Sequence, residues 1–415
     1  MVRKSFPTGS TPSDDVMAMI ADLARDDPDP DANRLALYAM YPGDEVHDVA
    51  VRAWHAYSHP NALVGRLIPS LAQMEREVIE MGLDLLGAPE GGGGVMTSGG
   101  SESLFQALYT AREWGRAERG IERPNIVVPR TAHASLEKSA HYLGVAVRRV
   151  HELADRRADV AATAAAMDRD TVLLLGSTPH YPMGQFDPIP ALAALATERG
   201  VLMHVDACVG GFLAPFMRDN GCPIPPFDFA VPGVTSMSAD LHKYGSTAKG
   251  ASLILYRDQA MVERQRFRCD AWPYGAYSVA TFAGSRPAGP VAAAWAVLNH
   301  LGRDGYREIA RRIVHARDRM MAGVAAIPGL HCHPETPDLS IFLICSEELD
   351  MFQVADEVVK RGFVVFRAAE PRSIHMLGDP WPDALVDRFL AVLGEAAAEV
   401  RGGRTKDMGT GAVYA

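Results

Sequence analysis

The most informative stretch of the chain is TSMSADLHKYGSTAKGASLILY, residues 235–256. It joins a short apolar and hydroxyl-rich run, a His242-Lys243 pair, a glycine-punctuated loop and a second apolar run from Ala251 to Tyr256. This pattern predicts two buried strands with Lys243 in the loop between them. A lysine held in such a loop loses hydration, so we expect its pKa to fall and its neutral amine to be nucleophilic.

The composition excludes several classes of protein. With 415 residues, 48% of them hydrophobic, the chain can bury a large core and is predicted to form one large and one smaller domain. A formal net charge of −10 without a Lys/Arg run argues against nucleic acid as a partner. Five irregularly spaced cysteines argue against a disulfide framework or a structural zinc site, and they fit a cytoplasmic protein. No segment has the apolar length of a membrane span or the pattern of a signal peptide.

A glycine-rich stretch, GAPEGGGGVMTSGGSESLF at 87–105, is the second informative segment. It predicts a strand at 95–97, a glycine turn, and a helix that runs to about Glu118. Backbone N–H groups at such a turn approach an anion closely, so Gly100 and Ser101 are predicted to bind a phosphate. The alternative is that Ser101 only caps the helix, and the two roles are compatible because both use unpaired N–H groups.

Further buried strands are predicted at 125–129, 145–150, 171–176 and 201–207. His133 follows the first of these strands, at the edge where open α/β sheets bind ligands, and it is therefore a candidate to lie over a cofactor ring.

Asp206 lies at the end of the last of these strands. Its burial costs free energy unless it meets a cation or a strong donor, and a pyridinium N–H supplies such a partner. The alternative for Asp206 is a helix N-cap.

These features suit pyridoxal phosphate. The amine of Lys243 would bind the cofactor aldehyde, and His242 would donate to a phosphate oxygen. Towards the C-terminus, predicted strands at 340–345 and 363–367 alternate with helices, which is typical of a smaller α+β domain.

The predicted organisation has four parts. An N-terminal arm with helices covers 1–58, a large cofactor-binding domain 59–290, a small C-terminal domain 291–402, and a disordered tail 403–415.

Five ordered motifs carry a resemblance to a known family: MTSGGSES, PRTAHASLEKSAHYLGV, HVDACVGGFLAPF, GVTSMSADLHKYG and FAGSRPAGP. They resemble the fold-type I pyridoxal-phosphate enzymes of the group II decarboxylase family, and within it the sphingosine-1-phosphate lyases. The resemblance implies an α/β fold with a mostly parallel seven-stranded sheet flanked by helices, plus a smaller C-terminal α+β domain. It also implies a homodimer whose active sites are built from both chains.

The resemblance further implies a role for each matching residue, with Lys243 bound to the cofactor, Asp206 at its pyridine nitrogen and His133 on its ring. Ser285 would reach the cofactor phosphate from a neighbouring subunit. The implied cofactor-binding residues are Gly100, Ser101, His133, Asp206, His242, Lys243 and Ser285. The implied catalytic and substrate-binding residues are Lys243, Lys249, Tyr41, His59 and Tyr181.

The sequence departs from the lyases near the expected substrate end. The lyases have an asparagine before the His-Pro turn, which is absent from the stretch 56–60 here, and Met183 stands where they have histidine. The loop 246–248 reads Ser-Thr-Ala in place of Tyr-Ala-Pro. The cofactor residues are intact, so these differences bear on the substrate rather than on the cofactor.

The predicted reaction is a retro-aldol cleavage of a 2-amino-3-hydroxy substrate. The resemblance implies a phosphorylated sphingoid base, cleaved to a fatty aldehyde and phosphoethanolamine. An amino-acid decarboxylase of group II is the alternative. A catalytically silent scaffold is a third reading, against which the intact Lys243 and Asp206 weigh because neither is needed for packing.

Overall fold

A computed structural model describes residues 5–25, 27 and 40–403 of the chain. Residues 1–4, 26 and 28–39 of the predicted N-terminal arm lie outside the described residues, and so does the predicted tail beyond Gly403. Among the described residues, no helix has both the length and the apolar character needed to cross a membrane.

The described residues form twelve α-helices and thirteen strands. The helices are α1 (Ser13–Leu23), α2 (Asp44–Ala56), α3 (Pro69–Leu85), α4 (Gly100–Arg119), α5 (Ser135–Leu143), α6 (Val160–Ala166), α7 (Ile189–Arg199), α8 (Ala214–Asp219), α9 (Gln259–Gln265), α10 (Gly289–Ala325), α11 (Met351–Lys360) and α12 (Asp383–Arg401), with a 3-10 helix at Ala62–Leu67. The strands are β1 (Gly93–Thr97), β2 (Asn125–Pro129), β3 (Ala146–Val150), β4 (Thr171–Ser177), β5 (Leu202–Asp206), β6 (Ser236–Ala239), β7 (Ser252–Tyr256), β8 (Phe267–Cys269), β9 (Tyr277–Val279), β10 (His331–His333), β11 (Ile341–Cys345), β12 (Phe366–Ala368) and β13 (Ser373–Leu377).

The large sheet has seven strands in the order β1-β7-β6-β5-β4-β2-β3. The strands from β3 to β6 pair in parallel, whereas β7 is antiparallel to both β6 and β1. Every residue of β4 and β7 is buried, which explains why these strands read as continuous apolar runs rather than as alternating ones. The predicted mostly parallel seven-stranded sheet is confirmed.

The strand pairing brings the informative segments to one edge of this sheet. The end of β1 lies opposite the start of β7, with Thr97 paired to Ser252, and the end of β6 lies beside the same point. A buried hydroxyl chain fixes the junction, because Ser103 Oγ lies 2.6 Å from Thr97 Oγ1 and 2.9 Å from Ser252 Oγ. The glycine turn before α4 and the lysine loop between β6 and β7 therefore meet.

The smaller C-terminal domain is built on an antiparallel sheet of order β10-β11-β13-β12. A separate apolar core, from Ala316 on α10 to Ala397 on α12, lies under it. The strand predicted at 363–367 begins later, at Phe366, because Gly362 turns the chain after α11 with a φ of 91°. Helix α10 has a kink at Gly302, where φ is 53°.

Tyr244 ties the lysine loop to the C-terminal domain. Its buried hydroxyl lies 2.6 Å from Ser340 Oγ and donates to the Gly378 carbonyl. From α10, the Tyr306 hydroxyl donates to the Gly245 carbonyl at 2.7 Å. The loop is thus held by hydrogen bonds from both sides, which restricts where Lys243 can lie.

Substitution of Tyr244 by phenylalanine should destabilise the protein. The variant leaves Ser340 Oγ and the Gly378 carbonyl buried without this partner, at a cost of about 1–3 kcal/mol. The free energy of unfolding in urea measures the loss. The matched control is Tyr142→Phe, since the Tyr142 side chain is exposed on α5 and should change stability by less than about 0.5 kcal/mol. Equal stability of the two variants would contradict the anchoring role of Tyr244.

Candidate active site

A cavity of about 330 Å³ opens at the edge of the sheet where these segments meet. Five parts of the chain line it: the turn at the start of α4, the loop after β2, the end of β4 with the loop after it, the end of β5, and the loop after β6. The lining includes most of the residues singled out as cofactor-binding, namely Gly100, Ser101, His133, Asp206, His242 and Lys243. Tyr181 also lines it.

The glycine turn brings backbone close to the cavity. A Cβ atom at Gly100 would lie 2.7 Å from Cys208 Sγ and 3.0 Å from Asp240 Oδ2, so only glycine fits there. Ser98 donates from its N–H and its hydroxyl to Glu102 Oε2, at 2.8 and 2.6 Å, which closes the turn. Helix α4 begins at Gly100 and its N-cap is Gly99, so Ser101 lies within the first turn and its interpretation as the helix cap is wrong. The unpaired N–H groups of the first turn of α4 remain suited to an anion.

Asp206 is the last residue of β5 and is buried. Its Oδ1 accepts hydrogen bonds from the Cys208 N–H at 3.1 Å and from the Ser238 hydroxyl at 3.3 Å. The next helix, α8, begins eight residues later at Ala214, so the alternative of a helix N-cap is wrong. The carboxylate lies on the cavity wall, where it suits a cationic N–H partner.

A polar network next to Asp206 was not predicted from the sequence. His204 lies two residues earlier on the same face of β5, opposite Ser236 of β6, and Asp206 lies opposite Ser238. The His204 ring nitrogens lie 2.9 Å from Ser236 Oγ and 3.2 Å from Ser238 Oγ. Burial lowers the pKa of His204 to about 4, so the ring is neutral and orients the Ser238 hydroxyl that Asp206 accepts. The alternation of polar residues in these two strands is the pattern that indicates such a network.

Lys243 forms an ion pair with Asp240, a residue to which the sequence assigned no role. Lys243 Nζ lies 3.1 Å from Asp240 Oδ2, and the Asp240 side chain is buried. Burial alone would raise the pKa of Asp240, but the charges of Lys243 and His242 lower it. Burial alone would likewise lower the pKa of Lys243, but the carboxylates of Asp240 and Asp206 raise it above its ordinary value. The expectation of a lowered Lys243 pKa is therefore wrong for this structure, because desolvation is outweighed by two carboxylates.

Both histidines that were predicted to bind the cofactor line the cavity. Burial lowers the pKa of His133 and of His242. His133 Nδ1 lies 2.8 Å from Ser135 Oγ, which fixes its ring at the start of α5. His242 Nδ1 accepts the Ala251 N–H at 3.2 Å, so its other nitrogen, Nε2, can donate.

One predicted substrate residue, Tyr181, lines this cavity, and a second, Lys249, contacts the backbone of the lysine loop. Tyr181 contacts the cavity, and its ring stacks on His375 with centroids 4.6 Å apart. Lys249 donates from Nζ to the His242 carbonyl at 2.7 Å. Burial and the charge of Lys243 both lower the pKa of Lys249.

Four predicted site residues, Lys249 among them, do not line the cavity of the single chain. The Tyr41 hydroxyl donates to Asp44, and His59 is exposed in the turn after α2. Ser285 Oγ accepts from Asn61 Nδ2 at 2.9 Å.

The residues present fit pyridoxal phosphate. The glycine turn and His242 offer N–H donors to a phosphate, Asp206 offers a carboxylate to a ring nitrogen, and Lys243 offers an amine. Because a Cβ atom does not fit at Gly100, the backbone of this turn lies close to Cys208 and Asp240 on the cavity wall. Donors, carboxylate and amine thus lie around one cavity.

Comparison with known proteins supports the same assignment. The chain is 37% identical over 355 residues to the sphingosine-1-phosphate lyase of Oryza sativa and 39% identical over 355 residues to that of Arabidopsis thaliana. Each match covers 84% of this chain, but the chain spans only 66% and 65% of the length of those two relatives.

A solved structure of a sphingosine-1-phosphate lyase from Burkholderia pseudomallei K96243 has a similar fold, with a TM-score of 0.90 at 36% sequence identity. The superposition covers 97% of this chain and 94% of that one. The family model of the pyridoxal-dependent decarboxylase conserved domain matches residues 60–333, which include every residue of the cavity wall. The chain therefore belongs to the pyridoxal-dependent decarboxylase family, and the cofactor that its cavity is built to hold is pyridoxal phosphate.

Proposed function

We propose that the chain is a carbon–carbon lyase that cleaves a phosphorylated sphingoid base to a fatty aldehyde and phosphoethanolamine. The observation that carries this proposal is the near full-length match, at 36% identity, to the Burkholderia lyase structure. The cofactor cavity supports it, since the proposed reaction needs a stabilised carbanion at the carbon that bears the amine.

The proposed reaction is a retro-aldol cleavage. A base removes the proton of the substrate 3-hydroxyl, the C2–C3 bond breaks, and C3 leaves as the aldehyde carbon. The bonding electron pair stays on C2, which then takes a proton to give the amine product. When bound, pyridoxal phosphate supplies the electron sink that stabilises the negative charge on C2.

The residues of the chain hold and orient the reacting groups in this proposal. Lys243 provides the amine, and Asp240, whose carboxylate lies 3.1 Å from Nζ, orients it. Asp206, oriented by Ser238, would hold the ring nitrogen of the cofactor in its protonated form. His133, held by Ser135, would cover the ring.

Lys249 and Tyr181 are the proposed groups at the substrate end. Lys249 carries a cation beside the cofactor loop, and its lowered pKa suits it to exchange a proton as well as to bind a phosphate. The Tyr181 hydroxyl, on a ring held by His375, is a second candidate for proton transfer. Tyr181 lines the cofactor cavity, and Lys249 contacts the backbone of His242, which also lines it. Both residues would therefore lie near a substrate bound there.

We further propose a cytoplasmic homodimer in which Tyr41, His59 and Ser285 act in the partner's active site. His59 lies two residues from Asn61, which accepts the Arg286 N–H at 3.1 Å, so the His59 turn and Ser285 belong to one surface region. That region lies away from the cavity of its own chain. The five cysteines are all free thiols, which supports a reducing compartment. Analytical ultracentrifugation measures the oligomeric state. Full turnover by a protein that is monomeric at the assay concentration would contradict the shared active sites.

An amino-acid decarboxylase is the alternative function, since the family model is that of a decarboxylase domain. Loss of carbon dioxide would leave a comparable carbanion in the same cavity. The two functions differ in their products, because only the lyase releases an aldehyde and only the decarboxylase releases carbon dioxide.

The wild-type protein should cleave a long-chain 2-amino-3-hydroxy-1-phosphate with a higher kcat/KM than the corresponding alcohol. Lys249→Ala should reduce this preference about ten- to a hundredfold, mainly through KM for the phosphorylated compound, because it removes one charge-assisted hydrogen bond. The measurement is the rate of aldehyde release from both compounds, with carbon dioxide recorded in parallel. Lys138→Ala, which removes an exposed lysine on α5, is the matched control.

Equal activity of the wild type on the phosphate and the alcohol would contradict the proposed phosphate site. Release of carbon dioxide from amino acids without any aldehyde would favour the decarboxylase instead.

A further inference from the structure

A second cavity, of about 540 Å³, adjoins the cofactor cavity. The two share His133 and Tyr181, whose rings meet edge to face with centroids 6.3 Å apart. The second cavity lies between the large domain, which contributes the segments 130–134 and 181–183, and strand β12 of the C-terminal domain. A molecule held by its amine in the cofactor cavity would reach the second cavity past these two rings.

The inner wall of this second cavity is apolar. Ala132, Ala134, Met183, Phe366 and Ala368 line it. Met183 is buried and packs with Leu343 and Cys345 behind the wall. Such a surface favours hydrocarbon over a polar or charged group.

The arginines on the wall are already paired with carboxylates. Arg130 contacts Glu152 at 2.7 Å and Glu370 at 2.6 Å. Arg149 contacts Glu137 at 2.7 Å, and Arg367 bonds to the buried Asp356. Because these guanidinium groups have acidic partners, the cavity offers no surplus positive charge to an anion.

The rings that separate the two cavities are held in place. The Tyr181 ring stacks on His375, and His375 Nε2 lies 2.8 Å from the Tyr181 carbonyl oxygen. His375 is buried on β13, beside the strand that supplies Phe366 and Ala368. The C-terminal domain thus holds the Tyr181 ring in place and also supplies the far wall of the second cavity.

We propose that this second cavity receives the apolar chain of the substrate, and that Met183 and Ala368 set the chain length it accepts. The proposal rests on the proposed lyase function and adds to it the place where the hydrocarbon binds. The amine and the reacting carbons would stay in the cofactor cavity, and the chain beyond C3 would pass Tyr181 to contact Met183, Phe366 and Ala368. A volume of about 540 Å³ lies within the range of cavities that enclose whole small ligands.

The test is a series of 2-amino-3-hydroxy-1-phosphates that differ only in chain length. With the wild-type holoenzyme, kcat/KM should rise about fourfold for each methylene that enters the cavity, and should then level off. Ala368→Leu fills part of the cavity, so its plateau should come at a shorter chain while short substrates react as in the wild type. Met183→Gln, which keeps the volume but adds an amide, should lower kcat/KM for the long chains at least tenfold.

A control variant and a second measurement separate this proposal from the proposed function. Ala162→Leu enlarges a partly buried alanine on α6 that does not line the cavity, and it should leave the chain-length profile unchanged. Thermal stabilisation of the holoenzyme by straight-chain alcohols, from hexanol to hexadecanol, reports on binding without turnover. It should increase with chain length in the wild type and in Ala162→Leu, and much less in Ala368→Leu.

The outcomes are distinct. If the protein cleaves no 2-amino-3-hydroxy compound but binds alcohols in this chain-length-dependent way, the lyase function fails and the apolar site stands. If wild type and Ala368→Leu share the same profile in both measurements, the chain binds elsewhere and the proposal is wrong.

Discussion

The buried ion pair between Lys243 and Asp240 is the interaction on which the site depends. Two charges brought out of water at 3.1 Å are tolerated only where the surrounding structure holds them in place. That structure is provided by β6 and β7 on each side of the loop, and by Tyr244 and Tyr306, which bond to the C-terminal domain and to the loop backbone. The cavity is therefore a product of both domains, although every residue on its wall comes from the large one.

The same pair determines the chemical state of the lysine. With two carboxylates nearby, the Lys243 amine is held protonated, and it must give up a proton before it can bond to an aldehyde. Asp240, whose own pKa is lowered by this pairing, stabilises the protonated amine rather than taking its proton. The glycine turn at the start of α4 presents N–H donors to the same cavity. The cavity therefore offers an anion site at this turn as well as the amine of Lys243.

The sequence predicted the sheet well because its strands are continuous apolar runs bounded by glycine or polar residues, and β2 was predicted at its observed bounds. The grouping of six predicted cofactor residues at one cavity could be predicted because they lie at or just after strand ends, and their individual roles stay predictions. The role of Asp240 could not be predicted, because the distance between its carboxylate and Lys243 Nζ depends on the conformation of the loop. The direction of the Lys243 pKa shift was predicted wrongly for the same reason. The placement of Tyr41 and His59 in a working site stays a prediction, since it requires a second chain.

The central claim is that Lys243 is the residue that binds pyridoxal phosphate. Borohydride reduction of the cofactor-loaded protein, followed by denaturation and peptide mass spectrometry, tests it most directly. We predict a covalent pyridoxyl label on the peptide that contains Lys243, its loss in Lys243→Ala, and its retention on Lys243 in the control Lys249→Ala. A label of undiminished yield in Lys243→Ala, or a wild-type label confined to another lysine, would contradict the account.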